Sequence, residues 1–234
     1  MDRGRFVLVR TTLLDYPGKV ACAVFLPGCA LRCPYCHNPE LVDPDRTASA
    51  DLNCSLDEWD AFLDRRAKLL GGVAVSGGEA LLSPLLPGIL DRADRHGLPV
   101  KLDSAGLWPD RLVPLLARRR LDYVAVDLKT AFDRYDEVGW KTPDAEERLT
   151  ATLAALEESG TDYEIRTTVI PPLVDREILR RLAPTAARAP RWIWQVYRPG
   201  DTLDPRWSDL RAPDEDRLAE WAAEFEESAK ISIR

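Results

Sequence analysis

Three cysteines, Cys29, Cys33 and Cys36, lie within eight residues of one another at C-x3-C-x2-C spacing. Glycine and proline residues flank them, so the segment is expected to form a loop that can wrap around a metal centre. Thiolates are the soft ligands that iron–sulfur clusters require, and three of them leave one iron of a cubane cluster open to bind a reactant. The segment can therefore hold an iron–sulfur cluster with one open iron.

Two other metal centres fit part of the same segment. The run from Cys33 to His37 matches C-x-x-C-H, the attachment motif of c-type haem, but haem attachment normally follows export and no export signal is expected at Met1–Val9. Three cysteines and His37 would also form an ordinary structural zinc site. Zinc sites of this kind usually draw their ligands from two separated pairs, whereas Cys36 and His37 are adjacent. Both centres remain alternatives to the cluster.

The composition limits the partners that the protein can have. The chain has 234 residues, a formal net charge of -7 and a pI near 5.1. This charge argues against nucleic acid as a partner, which needs clustered basic residues, and the basic run 118–120 falls where a helix should end. No apolar segment is long enough to span a membrane, so a cytoplasmic protein without membrane contact is expected. Five cysteines in a reducing compartment then favour metal chemistry over disulfides.

Apolar, β-branched runs alternate with segments of helical periodicity along the chain. The predicted strands are Lys19–Leu26, Gly72–Ser76, Pro99–Asp103, Tyr123–Leu128, Tyr163–Val169 and Trp192–Tyr197. The predicted helices are Leu56–Leu70, Pro84–His96, Asp110–Arg119, Asp144–Glu158, Arg176–Arg188 and Asp214–Ser228. Alternation at these spacings predicts an α/β fold with a parallel sheet, either open or rolled into a barrel.

No linker or repeat divides the sequence, so we expect one domain over residues 1–234. Residues 1–18 would add a strand extension that includes the run Phe6–Val9. Residues 213–234 would add a helix and a short edge strand at Ile231–Ile233. The first long helix has a capping box at Ser55 and Glu58.

Polar residues occur where the predicted strands end, which is where α/β folds place their functional groups. These residues are Gly77, Gly78 and Glu79 after the second strand, Asp103 and Ser104 after the third, Asp127 and Lys129 at the fourth, Arg166 in the fifth and Gln195 in the sixth.

Each of these groups also has a local alternative. The glycines could form a plain tight turn, and Asp103 with Ser104 could cap the next turn. Asp127 and Lys129 lie on one face of a strand, so they could form a simple ion pair.

With Tyr35 at the aromatic position, the cysteine segment resembles the C-x3-C-x-aromatic-C signature of the radical SAM superfamily. The resemblance implies that the cluster reductively cleaves S-adenosylmethionine (SAM), whose adenine packs against the aromatic ring. It also implies cofactor contacts at the strand ends. Gly77, Gly78 and Glu79 would contact the methionine amino group, and Asp103, Ser104 and Asp127 would contact the cofactor or a monovalent cation. Lys129 and Arg166 would contact the methionine carboxylate, with a substrate peptide as the alternative for Lys129.

Three further stretches, Thr12–Lys19, Cys36–Pro39 and Arg198–Gly200, resemble the glycyl-radical-enzyme activating enzymes, above all those of anaerobic ribonucleoside-triphosphate reductase. This resemblance implies a partial (β/α)6 barrel. It also implies that a 5′-deoxyadenosyl radical takes hydrogen from a glycine of the partner enzyme, with flavodoxin or ferredoxin as electron donor. Ala80, Ala105 and the absence of histidine in 170–175 depart from the family pattern.

Three alternatives to this function remain. The first is activation of pyruvate formate-lyase or another glycyl radical enzyme. The second is a radical SAM enzyme that acts on a small molecule, such as a 7-carboxy-7-deazaguanine synthase. The third is a structural metal-binding protein.

Overall fold

The computed structural model describes residues 4–47, 50–225 and 230–234. Strands and helices alternate along these residues, which form two compact units. The first unit holds the described residues of 1–30, 38–104 and 110–124. The second holds 31–37, 105–109 and the described residues of 125–234.

The first unit contains a mixed sheet with the strand order β3-β1-β2-β4-β5. Its strands are β1 (Arg5–Thr12), β2 (Ala21–Leu26), β3 (Cys54–Ser55), β4 (Gly72–Gly77) and β5 (Val100–Ser104). β2, β4 and β5 run parallel, whereas β1 is antiparallel to both of its neighbours. The helices that begin in this unit are α1 (Pro39–Val42), α2 (Pro44–Thr47), α3 (Leu56–Arg66) and α4 (Leu86–Arg95).

The strand β6 (Tyr123–Asp127) belongs to both units, since Tyr123 and Val124 are grouped with the first and the remaining residues with the second. Its first residues continue the sheet beside β5, where the Asp122 amide donates to the Val100 carbonyl. Beyond its end, the Leu128 amide donates to the Arg166 carbonyl of the second unit. Helix α5 (Pro109–Ala117) also begins in the second unit and continues in the first.

In the second unit the order continues with β6, β7 (Asp162–Val169), β8 (Trp192–Val196) and β9 (Ile231–Ile233). β7, β8 and β9 run parallel to one another. The helices are α6 (Ala145–Ser159), α7 (Arg176–Ala186) and α8 (Glu215–Ala223). Short 3₁₀ segments occupy Ala67–Leu69, Ala80–Leu82, Phe132–Val138 and Pro205–Trp207 of the two units.

Buried strands and amphipathic helices form the core of each unit. Val73 and Val75 on β4 are fully buried, as expected for a parallel strand covered on both faces. In the second unit, Trp192 and Trp194 of β8 are also fully buried and pack edge to face at 5.3 Å. α6 buries Leu149, Leu153 and Leu156, which share one face of the helix.

The six strands predicted from the sequence are all present, with ends within two residues of the prediction, and the edge strand at Ile231–Ile233 is β9. The capping box is confirmed, because the Ser55 hydroxyl accepts from the Glu58 amide and the Glu58 carboxylate accepts from the Ser55 amide. Five of the six predicted helices are longer than the observed ones, the first and the last by the most: α3 tightens into a 3₁₀ turn after Arg66, and α8 ends at Ala223. Residues 226–228 of the predicted last helix lie outside the described residues, as do 1–3 of the predicted extension.

Within the described residues, no helix combines the length and apolar character that crossing a membrane requires.

Candidate active site

The cysteine loop begins in the first unit, immediately after β2. Gly28 has φ +100°, a backbone conformation that favours glycine. Its amide donates to the Leu41 carbonyl at 2.7 Å, and its carbonyl accepts from the Glu79 amide at 2.8 Å. The backbone before Cys29 is therefore held between α1 and the loop that follows β4.

The rest of the loop lies in the second unit, where Cys33 and Cys36 form a turn. The Cys36 amide donates to the Cys33 carbonyl at 3.1 Å. The Pro34 and Cys36 carbonyls accept from the amides of Asp204 and Leu203, at 3.0 and 3.2 Å. Cys33 is buried and Cys36 half-buried. Since neighbouring backbone fixes the turn, the two thiols are positioned by the fold.

His37 follows directly and is held by two contacts of its ring. Its ring stacks on Tyr197 with centroids 4.9 Å apart, and its Nε2 lies 2.9 Å from the Arg198 carbonyl oxygen. A carbonyl only accepts hydrogen bonds, so Nε2 carries the hydrogen and Nδ1 carries the free lone pair. This contact leaves the zinc alternative open, because a metal-ligating histidine commonly donates its other ring N–H to a backbone carbonyl.

The donor set of the loop suits an iron–sulfur cluster. All five cysteines are thiols rather than disulfides, and three of them are in this loop. Soft sulfur ligands are what such a cluster requires. Among the residues that the structure describes, no three His, Cys, Asp or Glu side chains are grouped around a single metal-ion position. The assignment of Cys29, Cys33 and Cys36 to a cluster thus depends on donor chemistry and spacing.

Gly77 and Gly78 bring the loop after β4 against the backbone that leads to Cys29. A Cβ on Gly77 would lie 2.3 Å from the Leu26 backbone, and one on Gly78 would lie 2.2 Å from the Gly28 carbonyl oxygen. These contacts are far inside van der Waals distance, so only glycine fits at either position. The sequence predicted a close approach to a ligand here, and the structure shows a close approach to the chain's own cysteine loop.

Glu79 is almost completely buried, and its carboxylate accepts from the Leu81 amide at 3.2 Å. It thereby caps the short 3₁₀ segment that begins at Ala80. The side chain is held beside the glycine pair, where the resemblance places a contact to the methionine amino group.

Asp103 and Ser104 end β5, as predicted, but the sequence analysis missed their neighbour Lys101. The Lys101 ammonium donates to the Asp103 carboxylate, and the two side chains are only 2% and 11% exposed. The signal was available in the sequence, because Lys101 and Asp103 are two residues apart and a strand places such residues on one face.

In the second unit, the structure brings three predicted site residues together. Asp127 accepts from the Lys129 ammonium at 3.0 Å through one carboxylate oxygen and from Arg166 Nε at 2.7 Å through the other. All three side chains are at most one fifth exposed. Asp127 is thus held by two cationic side chains, and ammonium and guanidinium groups are also the groups that bind carboxylates.

The pKa values of this cluster show that its charges persist. Burial alone would raise the pKa of the Asp127 carboxyl, but Arg166 and Lys129 outweigh burial and hold it well below its ordinary value. Burial likewise opposes the charge of Lys129, but Asp127 outweighs it and raises the pKa of Lys129 well above its ordinary value.

Tyr35, the predicted adenine contact, is buried in the second unit with its ring centroid 6.2 Å from that of Trp207. Burial is the main cause of its raised pKa, and the charges of Cys33, Lys129 and Asp127 also act on it. Its hydroxyl has no hydrogen-bond partner within the described part of the chain. A buried hydroxyl without a partner is unfavourable, so this position is suited to accept a polar group from a ligand.

Residues 23–183 match the profile of the Radical SAM superfamily. The chain belongs to the radical SAM superfamily. It is 29% identical over 218 residues to a Methanocaldococcus jannaschii protein named as a glycyl-radical enzyme activating enzyme, covering 91% of this chain and 88% of that one. It is also 33% identical over 178 residues to the pyruvate formate-lyase-activating enzyme of Clostridium pasteurianum, covering 73% of this chain and 71% of that one.

The solved structure of Streptococcus suis SuiB has the same fold, with a TM-score of 0.65 at 15% identity. The match covers 89% of this chain, which spans about half the length of SuiB (47%). The predicted fold class, a partial barrel of the radical SAM type, is therefore confirmed. This protein is therefore an enzyme that uses a [4Fe–4S] cluster and SAM. These comparisons do not extend to the monovalent cation.

Proposed function

We propose that this radical SAM enzyme activates a glycyl radical enzyme, and that its partner is anaerobic ribonucleoside-triphosphate reductase. The activating role is carried by one observation, the likeness to a named activating enzyme over most of both chains. The choice of partner depends on the Thr12–Lys19, Cys36–Pro39 and Arg198–Gly200 stretches. The second and third of these meet in the second unit, where His37 contacts the Arg198 carbonyl and lies beside Gly200.

In this proposal, Cys29, Cys33 and Cys36 hold the cluster and leave one iron for SAM. When bound and reduced, the cluster would supply the single electron for the reductive cleavage of SAM, the chemistry that hydrogen abstraction from the partner's glycine requires. The protein's own residues perform no acid–base step here. Their work is to hold SAM in one orientation and to exclude water.

Two cationic groups of the second unit support the assignment of the methionine carboxylate. Lys129 and Arg166 are both oriented by hydrogen bonds to Asp127, and an ammonium and a guanidinium are the groups that bind carboxylates. An anionic group would therefore meet a preorganised site and pay little side-chain entropy on binding. Tyr35 lies near these charges and would face the adenine.

In the first unit, Gly77, Gly78 and Glu79 would hold the methionine amino group. Asp103 and Ser104 would contact the rest of the cofactor. The whole chain would act as one radical SAM domain in the cytoplasm, where thiols stay reduced. Flavodoxin or ferredoxin is the proposed electron donor.

The first experiment is anaerobic reconstitution with iron and sulfide, followed by SAM and dithionite. We expect wild-type protein to produce 5′-deoxyadenosine, measured by liquid chromatography. Variants C29A, C33A and C36A should produce none and should lose the cluster absorbance near 420 nm. The matched control is C54A, which removes a buried cysteine outside the loop and should keep both signals. If C33A retains the cluster, the ligand assignment is wrong.

The second experiment identifies the partner. Reconstituted protein, SAM and reductant are mixed with anaerobic ribonucleotide reductase or with pyruvate formate-lyase, and the glycyl radical is measured by EPR. Pyruvate formate-lyase is the second candidate because of the Clostridium pasteurianum relative. A partner whose glycine is replaced by alanine serves as control. Production of 5′-deoxyadenosine without a radical on any glycyl radical enzyme would instead favour a small-molecule substrate, such as that of a 7-carboxy-7-deazaguanine synthase.

A further inference from the structure

Lys101 is the most deeply buried lysine that the structure describes. It lies on β5, in register with Ala74 of β4, and Val100 and Leu102 on either side are also buried. Its ammonium donates to the carboxylate of Asp103, which is two residues further along the same strand. A buried ammonium is costly unless it is paired, so Lys101 requires the charge of Asp103.

This pairing bears on the monovalent cation that the resemblance implies at Asp103 and Ser104. A Na⁺ or K⁺ ion there would bring one positive charge to the Asp103 carboxylate. Lys101 already supplies one positive charge at that carboxylate, from a side chain that is 2% exposed.

The other carboxylate that the resemblance offers to a cation is Asp127, in the second unit. It carries two tethered cations, because Lys129 and Arg166 each donate to one of its oxygens. Both carboxylates thus have charge partners built into the chain. The residues present do not fit an additional monovalent cation.

We propose that the Lys101 ammonium takes the place of a bound monovalent cation at Asp103, so that this enzyme requires neither Na⁺ nor K⁺. Lys101 is then a positioning residue, which holds the Asp103 carboxylate in one orientation at the end of β5. The link to SAM depends on the proposed assignment of Asp103 to the cofactor, whereas the charge replacement depends only on the pairing in the first unit.

The test compares thermal unfolding in NaCl, KCl and choline chloride at equal ionic strength, since choline is too large to replace the ammonium. The full chain is measured with and without reconstituted cluster. The wild-type midpoint should be the same in the three salts. For K101M, which leaves the Asp103 charge buried, the midpoint in choline should fall by about 6 °C or more. Na⁺ or K⁺ should restore most of this loss.

Two variants control for other effects. The double variant K101M/D103N lacks both charges, so its midpoint should not depend on the salt. K101R keeps the positive charge, so its unfolding midpoint should be the same in the three salts, as for wild type. If K101M does not fold, the salt dependence of the wild-type and double-variant midpoints still tests the proposal. Two results would overturn the proposal. One is a wild-type midpoint that is higher in Na⁺ or K⁺ than in choline. The other is a K101M midpoint that is the same in choline as in Na⁺ or K⁺.

SAM affinity provides a second measurement. K101M should bind SAM several-fold more weakly in choline than in Na⁺ or K⁺, whereas wild-type affinity should be the same in all three salts. A salt-independent loss in K101M would mean that Lys101 acts in some other way. If wild-type protein binds no SAM at all, the proposed function fails, but the unfolding experiment still tests the charge replacement.

Discussion

Asp127 lies between two cations, and this arrangement makes its charge important for stability. Replacing it by asparagine keeps the shape but removes the negative charge to which both Lys129 and Arg166 donate. Removing one member of a buried ion-pair cluster is costly, and with one fifth of the side chain exposed we expect D127N to lower the free energy of unfolding by about 2–3 kcal/mol at pH 7. Urea unfolding followed by circular dichroism measures this change.

The same variant has a defined pH dependence. The folded-state pKa of Asp127 is lowered, so its contribution is complete above the ordinary aspartate pKa and is lost as the pH falls through the folded value. The difference between wild type and D127N should be constant from pH 8 to about 5 and should shrink below about pH 4. D133N is the matched control, because exposed Asp133 pairs with Arg181 on the surface and its loss should cost under about 1 kcal/mol. A difference that grows towards low pH would contradict the assignment.

At the residue scale, type and spacing in the sequence are enough to predict some site residues. Cys33, Tyr35 and Cys36 could be chosen from their motif, and Asp127 with Lys129 from strand alternation. The partners of these residues could not be chosen, because contacts such as that of Arg166 with Asp127 join residues 39 apart in sequence. Such pairings depend on strand order, which periodicity alone does not determine.

In the first unit, the loop after β4 passes close to the start of the cysteine loop. A methyl group at Gly78 would lie 2.2 Å from the Gly28 carbonyl oxygen, so G78A must displace one of the two loops. We expect the free energy of unfolding to fall by about 1–3 kcal/mol, and the iron bound after reconstitution to fall to half or less. Iron per chain and absorbance near 420 nm measure the second effect.

Gly200 offers the matched control for this variant. A Cβ there would lie 3.7 Å from the nearest atom, in the His37 ring, which is ordinary van der Waals contact. G200A should therefore bind as much iron as wild type. Normal iron content in G78A would show that the close contact of the two loops does not hold the cysteines in place.

Long elements were predictable because each has a strong periodic signal, as in the parallel strands and in α6. Short elements were not. The four-residue helix α1, the two-residue strand β3 and the 3₁₀ turn at Ala80–Leu82 are too short to show a period. Their conformations are determined by tertiary contacts, such as the pairing of β3 with β1 and the cap that Glu79 provides.

At the scale of the whole molecule, β6 links the two compact units. Its residues are divided between them, so the unfolding of either unit would disrupt part of β6. We therefore predict one cooperative unfolding transition, as a single domain would show.

The tryptophans allow this prediction to be tested. Of the seven, Trp59 is in the first unit, and the others, Trp108, Trp140, Trp192, Trp194, Trp207 and Trp221, are in the second. Fluorescence therefore reports mainly on the second unit.

Leu63, fully buried in the first unit, is replaced by alanine, which should lower the free energy of unfolding by about 2–5 kcal/mol through the cavity it leaves. If the chain unfolds as one domain, L63A lowers the midpoint by the same amount in fluorescence and in circular dichroism. L149A, at an equally buried position of the second unit, should behave in the same way. A fluorescence midpoint that stays at the wild-type value in L63A, while circular dichroism shows an earlier transition, would mean that the units unfold independently.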